Sequence, residues 1–173
     1  MIRRRRPGLG YAAAALLALA SFGTGCTTPA PKGILAVERV QDGGVRLLLA
    51  GCPGYVARDF SVFADTEDDA SSDWSVHNGG QTGAVDGIQL FQPPPQGWTT
   101  TGGNLTALQK GVPYVANVNG TVGNRGLRGR VPFTSDDLAA LKSGEVLTWD
   151  GGTKNTKATR DDFLQADPAR CKP

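Results

Sequence analysis

Two apolar runs, Ile34-Leu35-Ala36-Val37-Glu38-Arg39-Val40 and Val45-Arg46-Leu47-Leu48-Leu49-Ala50, flank Gln41-Asp42-Gly43-Gly44. Asp-Gly with a second glycine behind it supplies the positive φ that a tight reversal needs, so this spacing predicts an antiparallel hairpin. The same texture runs on through the chain. Gly51-Cys52-Pro53-Gly54 marks a turn, and residues 59–64 read as a strand with Phe60 and Val62 on one face. Trp74-Ser75-Val76 and Ile88-Gln89-Leu90 are short strands; Pro93-Pro94-Pro95, which has no N–H to give a ladder, breaks the pattern before residues 98–101 resume it. With 24 Gly, 11 Pro and few long helical stripes, the balance is mainly β with many turns.

The C-terminal third adds helix signals. Residues 135–144 combine an oxygen-bearing cap, Asp136-Asp137 in the first turn and Gly144 after the last, and Thr159-Arg160-Asp161-Asp162-Phe163-Leu164 opens in capping-box style. Between them, residues 145–149 read as a late strand. About 140 residues from Gly33 onward make one domain with a core of ordinary size.

Leu108-Gln109-Lys110-Gly111-Val112-Pro113-Tyr114, followed by alternating apolar residues, resembles the E–F corner of fibronectin type III and related immunoglobulin-like sandwiches. In such corners a tyrosine hydroxyl bonds back to the backbone upstream. The resemblance implies an antiparallel sandwich in which residues 33–64 hold strands A to C, residues 127–133 form strand G, and Tyr114 is buried with its hydroxyl near residues 108–111. Two short C-terminal helices fold back over it.

The N-terminus carries a different message. Arg3 to Arg6 precede an apolar stretch, residues 11–22, and then Gly23-Thr24-Gly25-Cys26. About a dozen apolar residues fall short of the roughly 20 that cross a bilayer as a helix, so the stretch reads as an export signal. Its end resembles the lipobox of bacterial lipoproteins, which implies a signal over residues 1–25, an acylated Cys26, a tether over residues 26–32 and a location on the outer face of the cytoplasmic membrane. The alternative is a secreted protein cut after Ala18-Leu19-Ala20. Acylation of Cys26 would leave Cys52 and Cys171, the only other cysteines, to form a disulfide or to remain as two buried thiols.

The chain carries 18 basic and 16 acidic residues; four arginines and no acid precede residue 26, so the remainder holds 14 basic against 16 acidic, a formal net of −2. That excludes a basic field for nucleic acid, and composition shows no polybasic patch for anionic lipid. Arg125, Arg128 and Arg130 are the one basic cluster, with Arg128 and Arg130 placed by alternation on an outward strand face. No cofactor is expected.

Three places invite chemistry. Asp65, Glu67, Asp68, Asp69 and Asp73 are a weak calcium candidate without the glycine and closing glutamate of an EF-hand. His77, the single histidine, sits in a turn-like context without a Gly-x-Ser-x-Gly elbow. Phe91, Pro94 and Trp98 share a loop that suits contact with an envelope protein or glycan, unless Trp98 turns inward to the core. The expected function is therefore a membrane-anchored binding or envelope-structural module. The alternative is an exported enzyme with a site near His77 and residues 65–73.

Overall fold

The computed structural model describes residues 32–66, 73–80, 84–165 and 167–173. Its strands are β1 (Leu35–Arg39), β2 (Val45–Leu49), β3 (Tyr55–Ala64), β4 (Asp73–Asn78), β5 (Gly87–Gln89), β6 (Trp98–Gly103), β7 (Pro113–Val122), β8 (Arg125–Thr134), β9 (Glu145–Thr148) and β10 (Thr156–Thr159). Helices α1 (Ser135–Ala139) and α2 (Arg160–Leu164) are one turn each. No described helix is long and apolar enough to cross a membrane.

The strands form two sheets of order β10-β9-β1-β2-β5 and β6-β4-β3-β7-β8, with every ladder antiparallel. The strand runs β1-β2-β5 and β4-β3-β7-β8 reproduce the A-B-E and C′-C-F-G sets of an immunoglobulin-like sandwich. The predicted hairpin is β1–β2, in register from Leu35↔Leu49 to Arg39↔Val45, with Gly43 at φ 83° in its turn.

Inner faces alternate as a half-buried sheet requires. Phe60, Val62 and Ala64 of β3, Trp74 and Val76 of β4, and Tyr114, Ala116 and Val118 of β7 are all buried. Leu47-Leu48-Leu49 breaks this alternation because the first sheet is covered on both sides. Leu35, Val37, Leu47 and Leu49 are paired on one face, whereas Ala36, Leu48 and Glu38 lie on the other. Over that second face lies α2, whose Phe163 is 1% exposed and whose Arg160 Nε sits 3.2 Å from Glu38 Oε2. Arg46 flanks the same carboxylate at 4.0 Å, so this nearly buried acid has a cation on either side.

The corner motif forms as its resemblance implies. Tyr114 is 1% exposed, its ring lies 5.8 Å from Phe133, and its hydroxyl accepts the Gln109 N–H at 2.8 Å. The corner does not follow strand E, however: β6 intervenes, so residues 104–112 lead from β6 to β7. Three other expectations shift. Thr134, not Ser135, caps α1, in a reciprocal box with Asp137. His77 lies within β4 rather than in a turn, because β3 offers it a partner at Asp59. An additional strand, β10, pairs with β9.

The chain enters the domain by changing sheets. The Lys32 N–H donates to Arg128 O at 2.8 Å in a parallel bridge with Gly129 of β8, after which β1 joins the opposite sheet. Gly129 permits this crossing: a Cβ there would lie 2.7 Å from the Leu35 Cβ. At the far end, Cys52 and Cys171 are disulfide-bonded across 119 residues, which pins the tail to the turn after β2.

Candidate binding surface

The predicted contact loop, residues 90–97 between β5 and β6, is the most distinctive surface of the domain. Phe91 adopts φ 62°, alone among the described non-glycine residues in the left-handed region. For a bulky side chain that conformation is strained, and such strain persists only where the surroundings hold it. Here the Trp74 ring holds it edge-on, with centroids 6.3 Å apart and planes at 76°.

Phe91 thereby becomes a wall between two concavities. The larger, about 540 Å³, has an apolar floor from Val45, Leu90, Leu108 and Leu138, with Arg39 and the Asp42 turn at its mouth. The second, about 370 Å³, lies on the other side against Trp74, Pro93 and Leu105. A third, about 340 Å³, runs under Pro93 and Pro95 toward Arg46. Gln92 borders all three.

The polar rim of the larger concavity is uneven in charge. Asp42 is engaged: Oδ1 accepts the Gly44 N–H at 2.8 Å and Oδ2 accepts the Gln89 amide at 3.2 Å. The Gly44 bond first, and the Gln89 bond second, hold its carboxyl below the usual value. Arg39 is exposed and makes no ion pair among the described residues. The surface thus offers an apolar trough with a free cation at its edge.

The other predicted residues scatter. Pro94 is half-buried within the loop and borders none of the three concavities. Trp98 does not join the surface: it is 6% exposed and packs 5.5 Å from Phe60, because it opens β6 on the inner face. Cys26, Glu67, Asp68 and Asp69 lie outside the described residues. Asp65 directly follows β3 and Asp73 opens β4, and no group of three metal-ligating side chains occurs among the described residues. His77 stands exposed on the outer face in one row with Asp59 and Thr99. Among the described residues no hydrogen bond orients its ring, and Asp59 accepts instead from Asn119 at 2.7 Å.

No protein-family model matches the chain, and no curated protein or solved structure is similar to it. Its own geometry is therefore the guide to its function.

Strained Phe91, Arg39 and the Leu108–Leu138 floor were not legible as a unit. They come from four separate segments that meet only when the two sheets pack. The one local signal was Phe91 next to the proline run.

Proposed function

We propose that the chain is an exported lipoprotein, acylated at Cys26, which presents a β-sandwich as a binding or envelope-structural module through the β5–β6 loop. The observation that carries this reading is the Cys52–Cys171 bond. It consumes the only other two cysteines and leaves Cys26 as the odd thiol of a chain that reads as exported. The contact surface suits an envelope protein or glycan that brings an apolar group to the Phe91 trough and an acidic or hydroxyl-rich edge to Arg39. The alternative, an exported enzyme with a site near His77 and residues 65–73, gains no support from a histidine on an open face without an orienting partner among the described residues.

Mass spectrometry of the native protein tests the anchor: the expected N-terminus is an acylated cysteine, and either Ser21 at the terminus or an unmodified Cys26 refutes it. Cross-linking from the envelope tests the surface. Phe91→Asp should abolish a cross-linked species that Thr101→Asp, on the far side of β6, leaves intact; equal yields from both variants refute the loop as the contact.

A further inference from the structure

The described surface carries one charged feature that the contact loop does not use. Arg128 and Arg130 point outward from β8, opposite Asn119 and Asn117 of β7. Neither arginine makes an ion pair among the described residues. Among the described residues, Arg128 Nε is buried without a hydrogen-bond partner, and Asn117, 7% exposed, makes no side-chain bond. Arg130 lies over the Trp149 ring at 6.0 Å, which holds its guanidinium in place. Neither arginine is ion-paired to Asp59, Asp150 or Asp167. Asp59 accepts from Asn119, Asp150 from Gly152 at 3.0 Å, and Asp167 pairs with Arg170 at 3.4 Å.

This is also the place where the chain enters the domain, since Lys32 is bridged to Gly129, between the two arginines. Six peptide links separate Lys32 from Cys26, a reach of at most about 20 Å. An anchor at Cys26 therefore keeps β8 close to the membrane, where the surface potential of anionic lipid acts within about a Debye length. We propose that the Arg128–Arg130 face of β8 docks on anionic lipid headgroups and thereby orients the tethered domain, turning the β8 edge to the membrane. Composition alone hides this, because the domain's net charge is negative while these two arginines flank the point where the tether enters. The inference rests on the lipoprotein reading.

Tryptophan quenching tests it, because Trp74 and Trp98 are buried and Trp149 is the accessible indole beside Arg130. The full lipidated protein is placed in vesicles of phosphatidylcholine alone, or of phosphatidylcholine mixed with phosphatidylglycerol, and quenched with neutral acrylamide. The expected result is a Stern–Volmer slope about half as large on the anionic vesicles, restored by high salt and by Arg128→Gln/Arg130→Gln. Equal slopes on both vesicles overturn the docking. So does protection that appears only when soluble alginate is added to neutral vesicles, which would assign the face to a soluble polyanion. A protein that fails to float with neutral vesicles refutes the anchor itself, and the docking with it.

Discussion

Breaking the Cys52–Cys171 bond is the most informative perturbation of this domain, because it separates covalent closure from contact. The bond closes a loop of 119 residues. On the chain-entropy relation, a loop of that length restrains the unfolded chain by about 5 kcal/mol at 25 °C. The native state loses little when the bond is cut. Phe163 stays buried, α2 stays packed against Gly51, and Arg170 still lies over the Phe163 ring at 5.7 Å. Cys171→Ser should therefore cost about 4–5 kcal/mol, a large part of the 5–15 kcal/mol typical of a domain. Urea melts followed by the buried Trp74 and Trp98 measure it, with the reduced wild type as a second route to the same state. Deleting residues 166–173 should cost the same. A loss under about 1 kcal/mol refutes the entropic reasoning, and a truncation much costlier than the serine variant shifts the stabilisation to tail contacts.

Tyr114→Phe keeps the buried ring and deletes the bond to Gln109; because Gln109 is exposed and water can replace the hydroxyl, the expected loss is about 1 kcal/mol in a denaturant melt, and an unchanged midpoint removes the corner from the account. Gly129→Ala places a methyl against Leu35, Ile34 and Val118, and should cost about 1–3 kcal/mol by the same assay. Tyr55 makes a prediction in pH. Burial, and then the charge of Asp59, raise its hydroxyl above the ordinary value of 10.0, so its contribution is fully present below about pH 10 and is lost as pH rises toward the folded value. Urea midpoints should fall on the alkaline side in wild type and fall less in Tyr55→Phe; parallel curves contradict this.

How legible the molecule was depends on how local each determinant is. The β1–β2 hairpin and the Tyr114 corner were readable because their turn residues and apolar runs are contiguous. The strand β10 was not: Thr156-Lys157-Ala158-Thr159 has one apolar residue, and it becomes a strand only because β9 offers an edge. His77 looked like a turn residue from its Asn-Gly-Gly flank, yet pairing with Asp59 extends the strand through it. Trp98 was readable either way, since an aromatic after a proline run opens a strand as readily as it covers a surface. The arginine face was visible as alternation, but its place beside the chain entry depends on the Lys32–Gly129 bridge, which no local pattern encodes.

The position of β1 has a consequence for how the chain is made. In its sheet β1 lies between β2 and β9, with Ala36 opposite Leu48 on one side and opposite Thr148 on the other. A chain that emerges from its N-terminus can close the first pairing at once but must wait more than a hundred residues for the second. Throughout that interval Leu35, Ala36 and Val37 form an open, apolar ladder edge, the kind of template that recruits another chain. The opposite sheet waits less, since β3–β4 and β7–β8 each pair with the next strand to emerge and β3 meets β7 as soon as residues 113–122 are made. Synthesis order thus completes one half of the sandwich first and leaves the other dependent on a late strand, so the exposure of the β1 edge to self-association ends only when residues 145–148 arrive.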